Sequence, residues 1–251
     1  MKARLLLTVS AMLILASCGG GSQSAAKTTA VPVVLTCAAG GTCVVGDTGP
    51  GGGIVFYVAA TSFACGATLA SSCTYLEAAP SGWFVSPASG CEAAESLDVD
   101  PICVWTELAY GDTFTSTTGT AIGTGYKNTT EIITQLGAEV APAVVSQAYR
   151  GGGLSDWFLP SKDELNELCK YARNQTTGDT LTICDNTGTL RSGFSVYDPS
   201  GYKGHNRWSS SDIDSNLAWA QYFGQIDRND SGVQVDSSKN NDHYVRPVRA
   251  F

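Results

Sequence analysis

Residues 156–165 read Asp-Trp-Phe-Leu-Pro-Ser-Lys-Asp-Glu-Leu, and this stretch decides much of the fold. Ser161 and Glu164 stand three residues apart, as in a capping box, where each side chain accepts a hydrogen bond from the backbone N–H group of the other residue. The pattern predicts a helix that begins after Ser161. The side chains expected on its buried side are Leu165, Leu168, Cys169 and Ala172.

Helix and strand patterns flank this block. Residues 129–149 place apolar side chains at near-helical spacing and predict a helix interrupted around Ala141-Pro142. Residues 217–223 and 244–249 have the clearest strand patterns of the C-terminal part. Residues 44–58 combine a glycine-rich stretch with a β-prone run. A phosphate-binding loop would need a following helix, so these glycines indicate a turn.

The first residues have the features of an export signal. Two basic residues precede the apolar run 5–15, which is too short to span a bilayer comfortably. The run ends in Leu15-Ala16-Ser17-Cys18, which matches the lipobox of bacterial lipoproteins. The sequence therefore predicts a signal peptide at residues 1–17 and acylation of Cys18, whose acyl chains anchor the protein to a membrane.

The rest of the chain divides into a tether and one domain. Residues 18–43 are predicted to form the lipidated Cys and a flexible tether, because this stretch begins with small, polar residues that have no periodicity. Residues 44–251 are predicted to form a single folded domain. Gly19 after the lipidated Cys is compatible with transport to an outer membrane, so we expect the protein at the cell surface or outer membrane.

The charge of the chain narrows the set of partners. Loss of the signal peptide would leave 13 basic and 23 acidic residues, a net charge of −10, with no basic cluster. Binding to nucleic acid needs a positive surface, so we expect no nucleic-acid partner.

The cysteines are typical of an oxidising compartment. Eight remain besides Cys18, and many connectivities are open to them. Their grouping into close neighbours suggests the pairs Cys37–Cys43, Cys65–Cys73, Cys91–Cys103 and Cys169–Cys184. A metal site has less support, because no Cys-x-x-Cys pair occurs and the only histidines are His205 and His243.

Four blocks of sequence together resemble one family, the Lcl C-terminal domain, which is named for a collagen-like bacterial adhesin. The blocks are residues 45–57, 75–80, 156–165, and 207–211 with 245–251. The resemblance implies an α+β fold of the group that includes C-type lectins and the formylglycine-generating enzyme. Such a fold has paired terminal strands, one or two helices and a long irregular insertion, here stapled by disulfides. It also implies that the strand near residues 54–58 lies beside the last strand, near residues 245–249.

The resemblance favours a binding protein over an enzyme. The oxidising enzyme of this group needs a close pair of active-site cysteines, whereas Cys169 and Cys184 are interpreted as a disulfide. His205 and His243 lie in polar stretches and are interpreted as exposed contact residues rather than as catalytic bases. We therefore expect no enzyme, but a binder of an extracellular protein or glycan. A divergent enzyme of the formylglycine-generating type, an envelope-glycan hydrolase and a structural envelope protein remain as alternatives.

The ligand is expected to bind the polar segment between Trp208 and Tyr244, where adaptable polar side chains alternate with a fixed frame. The frame residues are Trp208, Trp219, Phe223, Val245 and Val248. The candidate contact residues are Asp212, Asp214, Asn216, Tyr222, Gln225, Asp227, Arg228, Asn229, Asp230, Gln234, Asp236, Asn240, Asn241 and His243. C-type-lectin-like proteins diversified by retroelements vary on this part of the fold, so the resemblance also suggests such a variable protein.

Calcium is the one cofactor that the sequence leaves open. Residues 212–216 have the opening spacing of a calcium loop, but Leu217 and Phe223 replace the Gly and Glu that an EF-hand requires. The Glu-Pro-Asn and Gln-Pro-Asp loops of sugar-binding C-type lectins are absent from the sequence as well. No other cofactor and no metal ligands are predicted.

Overall fold

The protein has a mixed α+β structure, with three α-helices and two β-sheets among its described residues. The computed structural model describes residues 34–84, 90–92, 100–106, 118–137, 141–194, 206–224 and 232–251. The helices are α1 (Gly125–Leu136), α2 (Ala141–Ala148) and α3 (Lys162–Ala172). The strands are β1 (Ile54–Cys65), β2 (Ser71–Ala78), β3 (Cys91–Glu92), β4 (Ile102–Val104), β5 (Asn206–Asp212), β6 (Leu217–Tyr222), β7 (Gln234–Ser238), β8 (Asp242–Tyr244) and β9 (Val248–Ala250).

The smaller sheet has the order β1-β2-β9, and it corrects the strand pairing expected from the family resemblance. The last strand does not lie beside β1, because β2 separates them and pairs antiparallel with both. The turn between β1 and β2 is short, and the Cys65–Cys73 disulfide closes it. A hairpin of this kind forms at a lower entropic cost than the pairing of the two chain ends.

The larger sheet has six strands in the order β3-β4-β8-β5-β6-β7. The stretch 244–249, expected as one strand, is divided between the two sheets, with β8 in the larger and β9 in the smaller. Pro247 lies in the connection, where its missing N–H group costs no ladder hydrogen bond. The C-terminal segment therefore joins one sheet directly to the other.

The structure confirms the capping box that the sequence predicts at the start of α3. The Ser161 side chain accepts a hydrogen bond from the backbone N–H of Glu164, and the Glu164 side chain accepts one from the backbone N–H of Ser161. The four expected apolar residues of α3 are all buried. The interrupted helix is seen as α1 and α2, and α1 begins four residues earlier than expected, at Gly125.

The glycine-rich stretch forms a turn around a buried carboxylate. Glu77 on β2 accepts hydrogen bonds from the backbone N–H groups of Gly51 (2.9 Å) and Gly53 (3.2 Å), and from Arg249 Nη1 (2.9 Å). A Cβ atom on Gly51 would lie 2.5 Å from Trp157 Cζ2 and 2.8 Å from a Glu77 oxygen. The tight packing of this turn therefore explains why glycine occupies position 51.

All four expected disulfides are present: Cys37–Cys43, Cys65–Cys73, Cys91–Cys103 and Cys169–Cys184. The first of them lies in residues 37–43, which were expected to belong to the tether. Cys37 and Cys43 are buried and pack against Val55 of β1 and, beside it, Tyr75 and Phe251. In the structure these two cysteines thus pack against the smaller sheet.

Candidate ligand-binding face

The segment expected to bind ligand forms β5, β6, β7 and β8, which are neighbours in the larger sheet. Nine of the expected contact residues lie in these strands and their turns. Gln225, Asp227, Arg228, Asn229 and Asp230 fall outside the described residues, as does His205.

Four of the five expected frame residues are fully buried: Trp208, Phe223, Val245 and Val248. Trp208 Nε1 donates a hydrogen bond to the carbonyl oxygen of Cys103 (2.9 Å), and Trp105 Nε1 donates one to that of Ser209 (3.3 Å). These bonds cross between β4 and β5 at the Cys91–Cys103 disulfide. The polar surface therefore rests on a support whose side chains have little freedom to move.

Four of the expected contact residues are exposed together at one end of this sheet. They are Asp214, Asn216, Asn240 and Asn241, and we call them the polar rim. Lys239 joins the two turns that hold them, because its backbone N–H donates to Asn216 O (2.9 Å) and its Nζ donates to Asp214 O (2.7 Å).

One turn of the polar rim, residues 214–217, is held by hydrogen bonds between its own residues. Asp214 Oδ1 accepts hydrogen bonds from the backbone N–H groups of Asn216 (2.7 Å) and Leu217 (2.8 Å). Asp side chains favour turns through such local bonds. The backbone that carries this part of the polar rim is therefore fixed by hydrogen bonds.

Asp212 points inward, under the polar rim. Its carboxylate bonds the Thr118 hydroxyl and lies 3.9 Å from Lys239 Nζ, which in turn sits 4.5 Å from the ring centroid of Trp105. Burial raises the pKa of Asp212 and lowers that of Lys239. Asp212 therefore anchors the two turns rather than offering its carboxylate to a ligand.

Trp219 differs from the other frame residues, because it is half-buried on the surface of β6. Lys162 Nζ lies 3.7 Å from its ring centroid, and Gln234 Nε2 donates to Lys162 O (3.1 Å). Asp236 of β7 is the register partner of Trp219 and is exposed. Register partners share one face of a sheet. We call Lys162, Trp219, Gln234 and Asp236 the Trp219 face.

The polar rim and the Trp219 face are neighbours along β6. Trp219 follows Asn216 by three residues, which is about 10 Å along an extended strand. Together the two groups offer carboxylates, amides, a cation and an indole. Such a mixture suits polar recognition with one aromatic contact.

Two expected contact residues are buried, contrary to expectation. Tyr222 is 8% exposed and His243 is 5% exposed. Tyr222 ends β6 beside the core, and the His243 ring lies 4.3 Å from that of Trp208. Polar neighbours in the sequence suggested solvent exposure at both positions, but the end of β6 and the end of β8 are buried on both faces of the sheet.

The structure brings Ser237 and His243 together, which the sequence did not suggest. Ser237 Oγ lies 2.7 Å from His243 Nε2, a distance suited to a nucleophile and its base. Burial, however, lowers the pKa of His243 to about 4. The pair therefore has the distances of a catalytic dyad without its proton affinity.

Sequence reasoning also missed a buried ion cluster behind this face. Asp100 bonds both Arg207, with Nε to Oδ2 at 3.1 Å, and Arg246, whose Nε contacts Oδ1. Trp83 Nε1 donates to the same carboxylate at 3.2 Å. Arg246 also donates to the carbonyl oxygen of Ala79 in the chain after β2 (2.9 Å). The sequence signal for this ion cluster was the occurrence of charged residues within otherwise apolar strand patterns.

The two carboxylates that suggested a calcium loop do not converge. Asp212 bonds Thr118, and Asp214 bonds its own turn. Among the described residues, no group of three or more His, Cys, Asp or Glu side chains is placed to hold a metal ion.

Comparison with known proteins adds no relative to this description. No protein-family model matches the chain, and no curated protein matches it. Among the helices of the described residues, none has both the length and the apolar character needed to cross a bilayer.

Proposed function

We propose that this protein is a lipid-anchored cell-surface binding protein, adhesin-like or receptor-like, that recognises an extracellular protein or glycan through the polar rim and the Trp219 face. One observation carries the proposal. Exposed polar side chains lie in the turns that flank β6 and β7, close in the chain to the half-buried Trp219, and the opposite side of β6 is buried at Ala218 and Ala220. Recognition surfaces need such adaptable contacts on a rigid support, because ordering a loose surface costs binding free energy.

The family resemblance supports the same location. C-type-lectin-like proteins that are diversified by retroelements carry their variable residues on this C-terminal part of the fold, and we propose that fold for this chain. We also propose that the segment is diversified by a retroelement, since many of its side chains are reachable from an Asn codon by adenine changes. A reverse transcriptase gene with an adenine-rich near-copy of the last coding stretch should then lie nearby, and its absence would remove diversification but not binding.

Three observations favour binding over catalysis. Cys169 and Cys184 form a disulfide and are 0% and 2% exposed, so they do not offer the accessible thiols that oxidation of a substrate requires. His243 is buried, with a pKa too low for a general base near neutral pH. Asp212 and Asp214 are engaged in holding the turns. None of these observations supports the alternatives of a divergent enzyme of the formylglycine-generating type or an envelope-glycan hydrolase.

The experiment compares two exposed acidic residues at opposite edges of the larger sheet. Asp236 lies on β7 at one edge, and Glu92 lies on β3 at the other. The soluble Cys18→Ser protein is applied to a glycan array and to immobilised extracellular matrix proteins. Asp236→Arg combined with Asn240→Ala should abolish saturable binding, while Glu92→Arg should leave it unchanged, and all variants should keep the wild-type melting temperature.

Two results would overturn the proposal. Unchanged affinity in the Asp236→Arg, Asn240→Ala variant would place the site elsewhere on the protein. Turnover of a glycan, or oxygen-dependent oxidation of a thiol peptide, without saturable attachment would identify an enzyme.

A further inference from the structure

The described chain begins with four exposed aliphatic side chains. Val34 is 89% exposed, Leu35 53%, Val44 62% and Val45 41%. Single exposed apolar residues are common on protein surfaces, but a cluster marks a surface that contacts something apolar. We call these four residues the apolar tip.

The fold brings the four residues together and holds them. The Cys37–Cys43 disulfide, with its Cα atoms 4.7 Å apart, closes the loop between the two aliphatic pairs. Gly41 N donates to Thr36 O at 2.9 Å across the same loop. Both cysteines are buried against Val55 of the smaller sheet. The loop that joins the two aliphatic pairs is therefore held against the smaller sheet.

The four side chains of the tip carry no charge, and the carboxylate beside them is that of Asp47, whose Oδ2 accepts a hydrogen bond from the Val44 backbone N–H group (2.9 Å). No Asp, Glu, Lys or Arg occurs between Lys27 and Asp47, although the whole chain has a net charge of −8. Elsewhere, an acidic surface is repelled by anionic headgroups. Desolvation of Val34 and Leu35 therefore buries no charge, whereas insertion of Val44 brings the Asp47 carboxylate to the level of the headgroups.

The position of the tip along the chain identifies its partner. Val34 follows Cys18 by 16 residues, a separation that spans at most about 55 Å when fully extended. The described residues nearest in sequence to the proposed lipid anchor are thus those of the tip. The bilayer that holds the acyl chains is the apolar phase within their reach.

We infer that the apolar tip inserts into the interface of the membrane that carries the anchor, a contact that rests on the proposed lipidation of Cys18. The four side chains enter the boundary between headgroups and acyl chains, which such apolar surfaces reach at a depth of about 5–10 Å. The acyl chains supply the attachment, and the tip sets which side of the domain faces the lipid.

The test uses a tryptophan as a depth probe. Lipidated full-length Val45→Trp protein is reconstituted into phosphatidylethanolamine and phosphatidylglycerol vesicles with brominated acyl chains, which quench nearby indoles. Ile213→Trp is the matched control, because Ile213 is also 41% exposed but lies in the turn between β5 and β6. The wild-type protein gives the background of its native tryptophans.

We expect emission from the tryptophan at position 45 to fall by about half or more, and emission from that at position 213 to stay near the background. Equal quenching of the two variants, or none, would overturn the inference. Flotation of the same vesicles distinguishes the two proposals, because protein that fails to float has no lipid anchor, whereas protein that floats without quenching has an anchor but no tip contact.

Self-association is the competing explanation for the apolar tip. Sedimentation of soluble Cys18→Ser protein should show a monomer. A dimer that Val44→Asp with Val45→Asp dissociates would mean that a second copy covers the tip, and that result would overturn the membrane contact.

Discussion

Two buried titratable groups should give opposite pH dependences of stability that nearly cancel. Burial raises the pKa of Glu164 from 4.5 to about 7, opposed by hydrogen bonds from the backbone N–H groups of Ser161 and Gly123. Burial lowers the pKa of His243 from 6.5 to about 4. Both side chains lie in the interior, at 0% and 5% exposure. A substitution at either residue should therefore reveal the pH dependence of stability that the other residue causes.

The signs follow from which state binds the proton. Between pH about 4.5 and 7 the folded protein holds a proton on Glu164 that the unfolded chain has lost, so the free energy of unfolding falls as pH rises. Between pH about 4 and 6.5 the unfolded chain holds a proton on His243 that the folded protein lacks, so the free energy of unfolding falls as pH drops. One pKa unit corresponds to about 1.4 kcal/mol, so each group contributes about 3 kcal/mol over its range.

Glu164→Gln removes the first effect and leaves the second. Its free energy of unfolding should fall by about 3 kcal/mol more than that of the wild type as pH drops from 7 to 4.5. His243→Gln should show the reverse, a relative gain of about 3 kcal/mol between pH 6.5 and 4.

Urea unfolding of soluble Cys18→Ser protein at several pH values measures these differences. The background titration of all other groups cancels in the comparison with the wild type, provided that the disulfides stay intact. Differences that are independent of pH for both variants would refute the reasoning, because they would mean that neither group changes its proton affinity on folding.

Three further predictions concern the anchor, the disulfides and the glycine turn. A fatty-acid analogue should label the wild type but not the Cys18→Ser variant, and equal labelling would contradict the lipobox interpretation. Free-thiol counting on the unfolded, unreduced Cys18→Ser protein should find none, and loss of each disulfide should lower the free energy of unfolding by about 2–3 kcal/mol in urea titrations; several reactive thiols would contradict the four pairs. Gly51→Ala should cost more than about 2 kcal/mol by calorimetry, because its Cβ would lie 2.5 Å from Trp157. Gly52→Ala, where φ is +75° but nothing lies within 4 Å, should cost only about 1 kcal/mol, and equal losses would exclude packing as the cause.

The sequence predicts best those features that depend on near neighbours. The capping box of Ser161 and Glu164 and the short-range disulfides are set by residues a few positions apart, and all of them are present. The place of the last strand depends on partners far along the chain, and there the expectation was wrong. The burial of His243 was missed for a related reason, because its surroundings come from Trp208 and Ser237 on other strands.

The C-terminal residues connect the two surfaces to which we assign contacts. Strand β8 belongs to the sheet of the polar rim, and Phe251 packs beside the disulfide under the apolar tip. Between them, Arg246 bonds the buried Asp100 and Arg249 bonds the buried Glu77. Removal of one partner from such a buried pair is strongly destabilising, so these ion pairs hold the C-terminal segment on both sheets. If the apolar tip contacts the membrane as we propose, this segment links that contact to the sheet that carries the polar rim.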